Sequence, residues 1–139
     1  MDAIQAAVLD VKLRYLDRWN NMRREIAAFY LDRLADIPVR LPAVLSGADH
    51  VYHLYVVRHS RRKHIIEGFD QVGIATGLHY PIPLHRQEVL RKTGFRAESL
   101  AVTQETADQC FSLPLYPGMP PGYQRKVTET LERIVADVG

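Results

Sequence analysis

The chain has 139 residues, 47% hydrophobic and 24% charged, with a net charge of +2. That balance excludes a disordered or fibrous chain and supplies one domain with enough apolar material for its own core. The charge is too small and too mixed with acids to predict a nucleic-acid partner, and no apolar run reaches the roughly 18 residues of a membrane span. The lone Cys110 cannot form an intrachain disulfide, so a cytoplasmic protein with a buried, inert thiol is expected.

From Ile4 the apolar residues Val8, Val11, Tyr15, Trp19, Met22, Ile26, Tyr30 and Leu34 follow at steps of three and four, which predicts one long helix, straight or bent. At 1.5 Å per residue such a helix spans about 45 to 50 Å, longer than a domain of this size needs, so it is expected to bridge two domains or subunits. Its other face carries Asp10, Arg14, Asp17, Arg18 and further charges, with Asp10 and Arg14 spaced for an i,i+4 pair, and Pro38 and Pro42 stop it. The organisation predicted is a connecting helix over residues 1–36 followed by a small α/β domain over residues 37–139.

Residues 51–57 are dense in β-branched and aromatic side chains and predict a strand, with His53 inside it. Ser60 is placed to cap a helix over 61–71 whose buried face is Ile65, Ile66 and Phe69, and Gly73 suits a left-handed C-terminal cap. The basic run Arg58-His-Ser-Arg-Arg-Lys-His64 reads either as a solvated helix start or as a phosphate contact. A second strand is predicted over 74–79, at most a short helix within 83–94, and a helix over 100–110 on the spacing Val102, Thr106, Cys110. Residues 111–115 are the third strand, and Pro121 opens a terminal helix carrying Val127, Leu131, Ile134 and Val138. Strands alternating with helices imply an α/β class, a three-stranded sheet covered on one side by the first and last helices.

The candidate chemistry lies in His79-Tyr80-Pro81-Ile82-Pro83-Leu84-His85. Pro81 and Pro83 fix their own φ and push Tyr80 and Ile82 toward extended backbone, so a stiff segment presents two imidazoles and a phenol. Such groups hydrogen-bond sugar hydroxyls or phosphate oxygens, and an imidazole also carries a proton near neutrality. The alternative is that His79 caps a strand end while Tyr80 packs half-buried; His53 is a fourth candidate, or a structural histidine within its strand. The six histidines match no zinc spacing and no thiolate pair accompanies them, so no metal site is predicted. There is no glycine-rich phosphate loop and no Gly-x-Ser-x-Gly elbow.

Read with its surroundings, Gly73-Ile-Ala-Thr-Gly-Leu-His-Tyr-Pro-Ile-Pro-Leu-His85 resembles the small domain of the DegT/DnrJ/EryC1/StrS family, pyridoxal-phosphate-dependent aminotransferases acting on nucleotide-linked keto sugars. Met1-Asp-Ala-Ile-Gln-Ala-Ala-Val-Leu-Asp-Val-Lys-Leu13 and Leu16-Asp-Arg-Trp-Asn-Asn-Met-Arg-Arg24 resemble the family's helix after the cofactor domain. His50-Val-Tyr-His-Leu-Tyr-Val-Val-Arg58 and Cys110-Phe-Ser-Leu-Pro-Leu-Tyr-Pro117 resemble the first and last strands of the small domain, so the resemblance runs through nearly the whole chain. It implies the small domain of the aspartate-aminotransferase-type (type I) fold, with the large cofactor-binding domain and its Schiff-base lysine absent from this sequence. No residue here is then expected to be catalytic; His79, Tyr80, His85 and His53 are implied on the substrate side. The resemblance also implies pyridoxal 5'-phosphate and a homodimer in the whole enzyme, a nucleotide-sugar substrate with glutamate as amino donor, and a fragment inactive alone. Two alternatives stand beside it: a sugar dehydratase of the same family, in which a histidine replaces the Schiff-base lysine, and a non-catalytic dimerisation module.

Overall fold

The computed structural model of the protein describes residues 1–94 and 100–138, and of Arg91 and Val138 only the backbone. The N-terminal apolar stripe forms two helices where one is expected: α1 (Ala3–Leu13) and α2 (Leu16–Arg33). The Asp2 carboxylate opens α1 by accepting the Ile4 N–H at 3.0 Å. At the break the Tyr15 N–H donates back only three residues, to the Lys12 carbonyl at 3.0 Å, so the i to i−4 ladder is interrupted there. The expected Asp10–Arg14 pair closes this end at 2.6 Å. α1 buries nothing, and Ile4, Val8, Leu9, Val11 and Leu13 all stand exposed; α2 enters the core through Ile26, Ala27 and Tyr30, followed by Leu34.

The sheet is smaller than the three strands expected. β1 is Tyr55–Arg58, shortened at its start because Tyr52 has φ +50°, a left-handed backbone that ends an extended run. Tyr52 is held in that conformation by stacking on Tyr55, ring centroids 5.9 Å apart, while its N–H donates to His50 Nδ1 at 2.9 Å. His53 therefore lies in an exposed bend before β1 and not within a strand. β2 (Cys110–Leu113) runs antiparallel to β1, Tyr55 opposite Leu113 and Arg58 opposite Cys110, and stops where Pro114 brings no N–H to the ladder. The strand expected over 74–79 contracts to a single bridge, Gly77 opposite Ser112, because the chain beyond Gly77 turns back to lay His79 over it. On the other edge Arg40 bridges Arg58, giving the order Arg40, β1, β2, Gly77.

α3 (Arg62–Gln71) follows β1, but Ser60 does not cap it; His59 Nδ1 accepts the Arg61 N–H at 3.0 Å instead. Gly73, φ +71°, closes α3 as expected: the Ile74 N–H reaches the Phe69 carbonyl and the Gly73 N–H the Asp70 carbonyl, each at 3.0 Å. A 3₁₀ turn (Leu84–Arg86), a short α4 (Glu88–Lys92) and α5 (Ala101–Gln109) lead into β2, and α6 (Pro121–Val138) opens on its proline. Tyr30 from α2, Ile65 and Phe69 from α3, and Val127 and Leu131 from α6 meet Tyr55, Val57 and Phe111 of the sheet in one core cluster, all of them fully buried. Burying each of the large aliphatic or aromatic side chains contributes about 1.5–3 kcal/mol.

The α3–α6 seam is tight enough to test. A Cβ at Gly68 would sit 2.7 Å from Ile134 Cδ1. Gly68→Ala is expected to destabilise the protein in urea by about 1–3 kcal/mol through overpacking. In an Ile134→Val background, which lacks that Cδ1, the penalty should shrink or reverse, since alanine is about 1 kcal/mol better than glycine in a helix. Equal penalties in the two backgrounds would refute the contact as the cause.

Two buried phenols set the alkaline limit. Burial, before the neighbouring tyrosines, pushes the Tyr30 and Tyr55 hydroxyls well above their ordinary range. The folded state then keeps phenolic protons that the unfolded chain releases near pH 10, so stability falls as pH rises above about 10. Tyr30→Phe should flatten that slope, while costing about 1 kcal/mol at neutral pH by removing the 2.8 Å bond to the Pro114 carbonyl. At the acid side, His59 is pushed down by burial and then by Arg61. A lowered histidine contributes stability above its unfolded value of about 6.5 that is lost as pH falls through its folded value. Denaturation curves of His59→Ala between pH 7 and pH 5 should accordingly show a smaller loss than the parent.

Candidate functional site

The chain after Gly77 leaves the sheet edge, runs through Pro81 and Pro83, and turns at Leu84–Arg86. Between this segment and α5 lies a groove of about 690 Å³. His79, Tyr80 and His85 all line it, together with Ile82, Pro83 and Leu84. The opposite wall includes Val102, Thr106 and Cys110, the same spacing that marks α5 as a helix. Most of the lining is aliphatic or aromatic carbon, with polar reach confined to the imidazoles, the phenol, Gln87 and two threonines. Apolar walls with a few placed polar groups are the usual composition of a small-molecule site.

The three loop residues are held differently. His79 Nδ1 lies 3.2 Å from Ser112 Oγ on β2, which anchors the ring from below. Tyr80 is 77% exposed with its ring edge-on to His79, centroids 5.8 Å apart, so its phenol is free to meet a ligand. His85 is half-buried within the 3₁₀ turn. His53 is not among the groove's lining residues; its contribution is a backbone carbonyl that accepts from Arg23 Nη1 at 3.2 Å.

The groove's α5 wall is fastened by residues of the basic run. Arg62 donates to the Ala107 and Cys110 carbonyls at the C-terminal end of α5, where a cation is favoured. Arg58 pairs with Glu105 at 3.2 Å and donates to Gln109 Oε1 at 3.1 Å. Of the run's two readings, then, neither a solvated face nor a phosphate contact describes Arg58 and Arg62; they hold one helix to the sheet. Cys110, buried at the foot of α5, faces the same groove.

The sequence reading missed Ser112. The available signal was a single hydroxyl in the apolar stretch Cys110-Phe111-Ser112-Leu113, all of it buried, where a polar group needs a partner.

Among the described residues no lysine and no carboxylate lines the groove. These residues therefore do not fit pyridoxal phosphate by themselves, since its covalent attachment needs an amine and its ring nitrogen an acidic partner. Among the described residues no group of three or more His, Cys, Asp or Glu could hold a metal ion, and no helix is long and apolar enough to cross a membrane.

Known proteins share both the sequence and the geometry. A dTDP-3-amino-3,4,6-trideoxy-alpha-D-glucose transaminase of Micromonospora megalomicea is 38% identical, covering 97% of this chain and 37% of its own length. A dTDP-3-amino-3,6-dideoxy-alpha-D-galactopyranose transaminase of Aneurinibacillus thermoaerophilus is 37% identical, covering 96% of this chain and 36% of its own length. The crystal structure of Streptomyces venezuelae DesV, in complex with a ketimine intermediate, superposes with a TM-score of 0.91 at 35% identity, over 96% of this chain and 36% of that one. The chain thus spans little more than a third of these relatives and has the fold of that part of an aminotransferase. With the sequence profile of the DegT/DnrJ/EryC1/StrS aminotransferase family matching residues 1–132, and with the groove and its histidine loop built on that fold, the chain belongs to this family.

Proposed function

We propose that this chain is the substrate-side part of a pyridoxal-phosphate-dependent aminotransferase that acts on a nucleotide-linked keto sugar. The observation that carries the reading is the convergence of His79, Tyr80 and His85 on one groove, in a chain whose relatives are named as dTDP-sugar transaminases. In this reading His79 and His85 hydrogen-bond the polar groups of the sugar nucleotide, the Tyr80 phenol reaches further out, and the aliphatic wall from Ile82, Leu84 and Val102 excludes water along the ligand's apolar edges. His53, outside the groove, takes no part. The cofactor, with its lysine, belongs to the portion of the relatives that this chain does not span. Residues 1–36 connect to that portion through α1, whose apolar side chains stand exposed, and residues 37–139 form the substrate-side domain. Glutamate is the amino donor, the assembly is a homodimer and the enzyme is cytoplasmic.

The test is a chimera in which this chain replaces the matching part of the Streptomyces venezuelae transaminase that is 39% identical to it. His79→Ala and Tyr80→Ala in an active chimera should lower kcat/KM for the nucleotide sugar about 10- to 100-fold, the range expected when one or two polar contacts to substrate are lost. Cofactor loading, read from pyridoxal absorbance, should stay as in the parent chimera. Unchanged kcat/KM in both variants would end the assignment.

A further inference from the structure

Ser112 occupies the middle of β2 and is only 5% exposed. Its backbone is bonded to Gly77 in both directions, the Ser112 N–H to the Gly77 carbonyl at 2.8 Å and the Gly77 N–H to the Ser112 carbonyl at 3.1 Å. The backbone of Ser112 is therefore fixed, and its buried hydroxyl needs a partner inside the protein. Among the described residues the partner within hydrogen-bond distance is His79 Nδ1, at 3.2 Å. A serine hydroxyl can donate or accept, but here its proton has no other acceptor among the described residues, so the pairing that satisfies it is Oγ–H donating to the lone pair of Nδ1. The ring proton then resides on Nε2, the nitrogen with no protein partner among the described residues.

Gly77 completes the seat from the other side. A Cβ built there would lie 2.6 Å from His79 Cε1 and 3.2 Å from Nδ1, so the imidazole occupies the space that any other residue at position 77 would fill. Hydroxyl below and vacant Cβ position beside it are two separate features of the chain, and both serve one ring orientation.

We propose that Ser112 is a positioning residue and that, with Gly77, it locks neutral His79 as an Nε2–H donor at the groove. The ligand atom facing His79 is accordingly a hydrogen-bond acceptor, such as a phosphate oxygen, a carbonyl oxygen or the lone pair of a sugar hydroxyl, and not an N–H or other group that can only donate. This rests on the substrate-side reading of the groove, but the state of the ring is measurable without any substrate.

The experiment is two-bond ¹H–¹⁵N correlation NMR on the 139-residue chain with ¹⁵N-labelled histidine, at a pH where His79 is neutral. His79 should show a protonated Nε2 and an unprotonated Nδ1, and Ser112→Thr should keep that pattern. Ser112→Ala should shift both nitrogens toward the averaged values of a free imidazole exchanging its tautomers. Gly77→Ala, which leaves the hydroxyl in place and displaces the ring, should do the same, and the amide spectrum of each variant reports whether the fold is intact. In the chimera, Ser112→Ala should lower kcat/KM about tenfold with cofactor loading unchanged, the scale of one lost hydrogen bond. A protonated Nδ1 in the parent, or tautomer signals unmoved in both Ser112→Ala and Gly77→Ala, would overturn the proposal. A correct tautomer pattern alongside a fully active His79→Ala chimera would instead overturn the substrate-side reading and leave the seat standing.

Discussion

Everything in this small fold hangs on β2 having to satisfy its backbone on both edges while all four of its residues are buried. β1 takes one edge through the register Tyr55–Leu113 to Arg58–Cys110, and Gly77 takes the other at Ser112. Since no water reaches a buried strand, those pairings are obligatory and not decorative. They fix three things together: the inward direction of Tyr55, Val57 and Phe111, the place where α5 must end, and the point from which the His79 loop departs. The groove is thus a consequence of how one four-residue strand is paired.

Short strands leave carbonyls stranded at their ends, and this chain meets them with guanidinium groups and a phenol. Arg23 Nη1 on α2 lies within 3.3 Å of the Tyr52, His53 and Leu115 carbonyls, tying the approach to β1 and the exit from β2 to one helix. The Tyr30 hydroxyl donates to the Pro114 carbonyl at 2.8 Å, and Arg62 serves the end of α5. A planar cation with several donors suits this task because it can satisfy more than one acceptor from a single position. It also explains why so many of the polar residues that draw the eye in the sequence are architectural. His50 supports the left-handed Tyr52 and His59 opens α3, while His79 and His85 line the groove.

Exposed apolar side chains gather along α1 and around the groove. Ile4, Val8 and Leu13 on α1, and Ile82, Leu84 and Val102 at the groove, are each more than half exposed. Scattered exposure of this kind is ordinary, but grouping on one helix and around one concavity marks surfaces that function with something against them. Both fit a chain that spans little more than a third of the length of its relatives.

The sequence by itself determined most of the helices, the class of the fold and the stiffness of residues 79–85, because these depend on local rules: apolar periodicity, proline's fixed φ, and glycine at a left-handed cap such as Gly73. It also carried the family, through motifs spread from residue 1 to residue 117. Strand extents were not legible in it, since β propensity cannot see that Tyr52 turns left-handed or that Gly77 alone of its segment finds a partner. Only the tertiary structure decided which polar residues tie elements together and which line the groove. His53 stood beside His79 as a weaker candidate in the sequence, and what separates them in space is that Arg23 takes the carbonyl of one while Ser112, 33 residues away in the chain, meets the ring of the other. Such long-range pairings arise when the strands meet, and no local pattern encodes them.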